Sequence, residues 1–179
     1  LTDAYNPEGP KILNYYQATR IWAFFDPESY AQSYAYQTLR SKYAISSGGL
    51  QGLGLFNGSG LVPVPMTDFL FGILGEELGF VGCSVMFILL ILLVGRILWI
   101  GSKAEDLYGK LLCVGVATWI AMQSFIHIGV TTAMLPNTGI PLPFMSYGLS
   151  SLVSNMAGIG LVMNVYAGIR TQNAKYKNI

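Results

Sequence analysis

Two long runs without a formally charged side chain most constrain how this chain can fold. One covers Leu78 to Gly95, and the other covers Leu111 to Ile169 when His127 is neutral. A membrane helix needs about 20 consecutive apolar residues, so the first run suits one crossing and the second suits two. The chain is 53% hydrophobic and 11% charged, whereas a soluble domain carries about 25% charged residues. The sequence therefore predicts an all-α, polytopic membrane protein.

A proline-rich segment divides the second run. Residues 135–143 read LPNTGIPLP, and a proline removes a helical hydrogen bond wherever it stands inside a helix. We therefore expect three transmembrane helices near residues 68–100, 109–134 and 144–168. They would form residues 68–179, as part of one larger membrane domain, after a large extracytoplasmic loop over residues 1–67. The first helix exceeds the bilayer thickness, so its beginning should stand out of the membrane or tilt.

The distribution of basic residues predicts the orientation. They flank the first short connection and the C-terminal tail, whereas residues 136–143 carry no charge: Arg96, Lys103, Lys110, Arg170, Lys175 and Lys177. Basic connections are typical of the cytoplasmic side. We therefore expect an extracytoplasmic N-terminal segment and a cytoplasmic C-terminus. The chain opens LTDAYNPEGP, without an initiating Met or a signal sequence, and we expect it to be part of a larger membrane protein.

Three carboxylates stand at the mouth of the first apolar run, namely Asp68, Glu76 and Glu77. An aspartate at the centre of a membrane helix costs about 2.5 to 3.5 kcal/mol on insertion scales, so these groups should face water, a partner or a substrate. Asp68 has two interpretations from the residues alone: it caps a helix N-terminus, or it takes part in catalysis. Glu76, eight residues on, lies on roughly the same helical face as Asp68. One of the two glutamates should line a polar cavity.

The segment before Asp68 contains two further patterns. Residues 34–45, YAYQTLRSKYAI, predict a short amphipathic helix at the bilayer surface, with Arg40 and Lys42 toward water or headgroup phosphates. Residues 46–60 are rich in glycine and suit either a tight re-entrant turn or a loop under a ligand. The plain turn is favoured, because no phosphate-loop lysine follows the glycines.

Polar and sulfur-containing side chains inside the predicted spans have modest roles. Gln123 and His127 are four residues apart and share a helical face. Interhelical hydrogen bonding is favoured for this pair over a proton relay. Cys83 and Cys113 show no metal or redox pattern and are predicted to be small buried thiols.

Six blocks in one order resemble a known family. They are RIWAFFDP from Arg20, AYQT from Ala35, AISSGGLQGLG from Ala44, PMTDFLFGILGEELGFVG from Pro65, QSFIHIGV from Gln123 and LPNTGIPLPFMSYGLSS from Leu135. Together they resemble the SEDS family of shape, elongation, division and sporulation proteins, which includes RodA and FtsW. The resemblance implies a ten-helix enzyme that polymerises lipid II into glycan strands, with this chain similar to its C-terminal half.

The resemblance also implies a site. Asp68 matches the family's essential aspartate in the TDF block and would act as the general base. From the residues themselves we expect the two glutamates to help bind the substrate. We also infer that Arg20, Arg40 and Lys42, the nearby cations apart from Lys11, offset the pyrophosphate charge. The sequence contains no metal-ligand spacing. A divalent cation, Mg²⁺ or Mn²⁺, would be held by the pyrophosphate and one or two carboxylates.

The implied partners are lipid II and a class B penicillin-binding protein transpeptidase in the bacterial plasma membrane, with no role for nucleic acid. Two other functions stay open, a lipid II flippase or transporter and a noncatalytic scaffold for the transpeptidase. This chain departs from the family at Met66, where histidine is usual, at Val64, where an acid is usual, and at Leu149, where glycine is usual. The polar surroundings of Asp68 are correspondingly thinner.

Overall fold

The structure, a computed structural model, describes residues 15–26, 36–58 and 69–177. Within these ranges every regular element is an α-helix: α1 (Tyr15–Phe25), α2 (Tyr36–Gly48), α3 (Leu70–Lys103), α4 (Leu107–Thr131) and α5 (Leu149–Lys177). Three helices are long and apolar enough to cross a membrane, namely α3, α4 and residues 149–171 of α5. The predicted all-α fold with three membrane helices is confirmed.

Helix α3 is interrupted near its beginning. Gly79 has φ 64° and ψ −165°, which is outside the helical region, and the chain is helical both before and after it. Residues 80–103 span about 36 Å at 1.5 Å per residue, which already exceeds the hydrocarbon thickness of a bilayer. The excess length expected from the sequence therefore lies in residues 70–78, before the interruption.

The loop between α4 and α5 is longer than its prolines alone indicate. It covers residues 132–148, and α5 begins at Leu149 rather than near Phe144. Phe144 has a positive φ of 64°, a value that a helix does not accept. The loop is anchored by Leu142, which is buried and donates its backbone N–H to Ser146 Oγ at 2.8 Å. The predicted helix start was therefore about one turn too early.

The other end of α5 also differs from the prediction. The helix continues past Gly168 to Lys177. The tail TQNAKYK contains neither proline nor glycine, the two residues that most often end a helix. The tail therefore extends the helix that the apolar run begins.

A hydrophobic core joins the three long helices near the α3–α4 connection. It consists of Ile97 and Ile100 from α3, three residues of α4 and Val162 from α5; the α4 members are Cys113, Ala117 and Ile120. The buried position of Cys113 agrees with its predicted role as a small apolar residue. Much of the outward face of α3 is apolar and exposed, as expected for a helix that meets lipid or other membrane helices.

Helix α2 packs against α3 and α4 at the opposite end of the bundle. Its buried residues, Ser41, Ala44 and Gly48, recur every three or four positions and form one face. Ser41 donates its hydroxyl to the Thr131 carbonyl of α4 at 3.0 Å, and Gly48 lies directly against Gly75 of α3. The predicted helix is present but ends at Gly48, and its small residues bring the backbones of α2 and α3 close together.

Candidate functional site

The glycine-rich segment after α2 docks on the interruption in α3. Leu53 N–H donates to the Glu76 carbonyl at 2.9 Å, and Gly54 N–H donates to the Glu77 carbonyl at 3.0 Å. On the other side of the interruption, Phe80 N–H donates to the Gly49 carbonyl at 2.9 Å. Backbone groups that an unbroken helix would pair internally are thus paired with the loop. The segment forms the tight turn that the sequence favoured.

Two glycines make this approach sterically feasible. A Cβ on Gly79 would collide with the backbone of Gly52, and a Cβ on Gly52 would collide with the Glu77 carbonyl. Both glycines also have positive φ, 64° at Gly79 and 79° at Gly52. We refer to residues 49–58 as the docking loop.

The docking loop passes beside both glutamate side chains. Glu76 is only 2% exposed, and Glu77 is half-buried. The position of a Cβ on Gly58 lies 3.4 Å from Glu76 Oε2 and 3.7 Å from Glu77 Oε1. Both carboxylates therefore reach the same point of the loop, although consecutive residues on a regular helix point about 100° apart.

Asp68, the proposed base, lies outside the described residues, as do Met66 and Val64. The described residues resume at Phe69, which occupies the N-cap position of α3 without a side-chain capping bond. Phe69 is 2% exposed and packs with Ala44 of α2 and Val130 of α4. The start of α3 is therefore held by apolar packing immediately after Asp68.

The three predicted cations lie on α1 and α2. Arg20 donates from Nη1 to the Asn137 carbonyl of the α4–α5 loop at 3.2 Å. The Arg40 guanidinium lies 4.9 Å from the ring centroid of Tyr36, and Lys42 is exposed. Arg20 thus contacts a loop carbonyl, and Arg40 contacts an aromatic ring. Of the predicted substrate-binding residues, the structure brings Glu76 and Glu77 together.

Gln123 and His127, the two polar residues of α4 for which hydrogen bonds were predicted, bond to groups outside α4. Gln123 Nε2 donates to the Pro141 carbonyl at 2.9 Å and to Ser151 Oγ of α5 at 3.2 Å. His127 Nδ1 lies 2.8 Å from the Ile140 carbonyl. These bonds attach the proline-rich loop to α4, which confirms the hydrogen-bonding interpretation of Gln123.

A groove of about 520 Å³ opens beside Gln123, between α4 and α5. Its polar residues include Asn155, which is 2% exposed and accepts a hydrogen bond from the Trp119 indole at 3.2 Å. Asn155 Nδ2 also lies 3.4 Å from Ser151 Oγ. The sequence analysis missed Asn155 and Trp119, although an asparagine within a charge-free run was an available signal for a hydrogen bond between helices.

Residues 11–171 match the family FTSW_RODA_SPOVE, described as cell cycle proteins. The chain belongs to this family. The assignment agrees with the resemblance to SEDS proteins that the six sequence blocks indicate.

Curated relatives in the FTSW_RODA_SPOVE family come from several bacteria. Peptidoglycan glycosyltransferase MrdB of Escherichia coli K12 is 39% identical over 159 residues, 87% of this chain and 43% of the relative. Probable peptidoglycan glycosyltransferase FtsW of Coxiella burnetii is 41% identical over 86% of this chain and 43% of its own length. Stage V sporulation protein E of Bacillus subtilis is 41% identical over 84% of this chain and 42% of its own length. This chain thus spans less than half the length of the relatives.

The fold is also similar to a chain in a solved structure described as "Structural coordination of polymerization and crosslinking by a peptidoglycan synthase complex". The TM-score is 0.71 at 29% sequence identity, covering 88% of this chain and 43% of that chain. The likeness therefore extends over nearly all of the helices described above.

Proposed function

We propose that this chain carries the catalytic aspartate and part of the substrate site of a peptidoglycan glycosyltransferase that polymerises lipid II. The observation that carries the proposal is the match over residues 11–171, together with relatives named as peptidoglycan glycosyltransferases at 39% and 41% identity. The paired glutamates beside the docking loop support it, because buried Glu76 and half-buried Glu77 place two carboxylates together eight and nine residues after Asp68.

In the proposed reaction Asp68 acts as general base. Its carboxylate takes the proton of the acceptor sugar's 4-hydroxyl as that oxygen attacks the anomeric carbon of the donor. The bond from that carbon to undecaprenyl pyrophosphate breaks, and the pyrophosphate leaves with the electron pair. A general base typically contributes about 10²- to 10⁴-fold to such a step.

The other predicted residues would position the substrate. Glu76 and Glu77 share one location and would hold hydroxyl or amide groups of the sugar near Asp68. Lys42 is exposed and Arg40 is half-buried, on opposite flanks of the buried face of α2, and either could meet a pyrophosphate. Mg²⁺ or Mn²⁺, if required, would be held by the pyrophosphate with one or two carboxylates. Among the described residues, no three His, Cys, Asp or Glu side chains could share a metal ion.

The proposal places the enzyme in the bacterial plasma membrane, with α1, α2 and the α4–α5 loop on the outer side. The hydrogen bond from Arg20 to Asn137 supports this arrangement, because it joins the N-terminal segment to a loop predicted on the same side. A class B penicillin-binding protein is the expected partner. The solved structure of a synthase complex that coordinates polymerization and crosslinking supports that expectation.

The test is polymerisation of lipid II by the full-length protein in vesicles, with Asp68→Asn and Asp68→Ala. We expect each variant to lose at least about 100-fold in rate, with normal abundance and thermal stability. Glu105→Gln is the matched control, since Glu105 is an exposed acid at the other end of the bundle. Full activity in either Asp68 variant would remove this residue from the mechanism. Lipid II movement across the vesicle without any polymer would instead favour the flippase.

A further inference from the structure

A basic and aromatic cluster lies at the end of α3 farthest from the proposed active site. The Arg96 guanidinium lies 4.2 Å from the ring centroid of Trp99, and the Lys103 ammonium lies 5.6 Å from the same centroid. The three residues are spaced three and four apart, so they form one helical face. Arg96 and Lys103 are exposed, and Trp99 is 46% exposed. We refer to them as the Trp99 cluster.

The two cations have no acidic partner within the part of the chain that the structure describes. Of the two acids in the adjoining α3–α4 connection, Asp106 accepts a hydrogen bond from Gly109 N–H, and Glu105 is exposed. Two like charges on one ring repel each other unless an anion lies near both. The cluster therefore has unused affinity for a negative group.

The residues around the Trp99 cluster could accommodate a phospholipid, because exposed apolar side chains adjoin the two cations. Along the same face toward the middle of the membrane lie Ile88 and Leu92, which are exposed and apolar. An acyl chain can pack along this ridge while its headgroup reaches the cations. Tryptophan is enriched where the membrane meets water, and arginine extends its side chain toward that interface.

Helix electrostatics alone do not account for this arrangement. A lysine in the last turn of a helix interacts favourably with the helix dipole, which explains the position of Lys103. Arg96 lies two turns before the helix end, where the dipole effect has faded. Its placement over the exposed ring, beside a second cation, fits binding of an anion.

The geometry points to a binding site for one anionic phospholipid, with its phosphodiester between Arg96 and Lys103 and its acyl chains along Ile88 and Leu92. Trp99 fixes the two cations by holding each against its ring. The site lies in the leaflet at the α3–α4 connection, and it is independent of the proposed glycosyl transfer.

The experiment measures binding of phosphatidylglycerol to the full-length protein by native mass spectrometry during a lipid titration. Arg96→Gln with Lys103→Gln should weaken binding about thirtyfold, since each basic residue near an anionic membrane surface contributes about fivefold. Trp99→Leu, which keeps both charges, should weaken it about two- to fivefold. Lys110→Gln is the control, because Lys110 is an exposed cation at the same end of the bundle.

Specific binding predicts one retained phosphatidylglycerol, no equivalent retention of phosphatidylcholine, and a Lys110→Gln variant that matches the parent protein. Equal binding by the double variant would overturn the proposal. An equal loss in Lys110→Gln, or no effect of Trp99→Leu, would show a diffuse basic surface in place of a site. Displacement of the lipid by millimolar inorganic phosphate would show that the cluster takes free phosphate.

Discussion

Replacing Gly79 by alanine tests whether the interruption in α3 holds the docking loop in place. Gly79 has φ 64° and ψ −165°, a region that is essentially restricted to glycine and that costs another residue about 1 to 3 kcal/mol. A Cβ here would lie 2.8 Å from the carbonyl carbons of Leu50 and Gln51. These are backbone atoms, so rotation of a side chain cannot relieve the collision.

The alanine variant has two ways to respond, and both weaken docking. If the interruption persists, the strain of about 1 to 3 kcal/mol remains. If α3 closes over it, Phe80 N–H can bond to the Glu76 carbonyl four residues earlier, and the loop loses its partners. The three hydrogen bonds described above and a fourth, from Val81 N–H to the Leu50 carbonyl at 3.2 Å, would be lost. Each is worth about 0.5 to 1.5 kcal/mol, and recovery of about half of the total inside the closed helix leaves a loss of about 1 to 3 kcal/mol.

Hydrogen–deuterium exchange at Leu53 and Gly54 measures this change directly, because their amides donate to α3. A loss of 1 to 3 kcal/mol corresponds to about 5- to 150-fold faster exchange of these amides. Under the proposed function, the rate of lipid II polymerisation by the full-length protein should fall as well, since Glu76 and Glu77 would no longer be held beside the loop.

Gly95→Ala is the matched control, since Gly95 lies inside the same helix and a Cβ there meets nothing within 4 Å. This change should leave hydrogen–deuterium exchange at Leu53 and Gly54 unaltered and stabilise the helix by up to about 1 kcal/mol. Unchanged exchange at Leu53 and Gly54 in a folded Gly79→Ala protein would refute the assignment of docking to the interruption.

Three further substitutions test packing and hydrogen bonding, each by thermal unfolding in detergent. Gly72→Ala should cost about 1 to 3 kcal/mol because its Cβ would meet Ser41; Ser41→Ala in the same chain should restore part, and additive losses would contradict this contact. Asn155→Leu should cost about 0.6 to 1.7 kcal/mol through loss of the Trp119 bond, and no loss would show that this bond is not stabilising. His127→Leu should cost about 1 to 3 kcal/mol, whereas His127→Asn should retain most of the stability; equal effects would exclude a role for the hydrogen bond.

The sequence predicted the number of membrane helices because charge-free apolar runs of this length are typical of membrane-spanning helices. It predicted their ends less well, because those depend on contacts between distant residues. The start of α5 illustrates this: it is delayed by the positive φ of Phe144 and the anchoring of Leu142, neither of which is visible in hydropathy. Helix α1 was not predicted, since tyrosine and phenylalanine in YYQATRIWAFF do not distinguish a helix from other structures.

Within the candidate site, the carboxylates were recognised because charge is rare in this chain. Their shared location was not predictable, since it depends on a tertiary contact that places Gly58 beside both carboxylates. Glycine occurs often in membrane helices, so Gly79 within the EELG block gave no sign of an interruption. Asp68 and the role assigned to it stay a prediction.

Docking through backbone atoms has a consequence for how this region tolerates change. The loop contributes N–H and carbonyl groups to α3, while the side chains of Leu50, Leu53 and Leu55 are exposed. Almost any residue can supply those backbone groups, so these three positions can vary in size and polarity without loosening the junction. Gly52 and Gly79 cannot vary, because a side chain at either position would collide with backbone atoms. The junction between the loop and α3 therefore depends more on two missing side chains than on the identity of the side chains that are present.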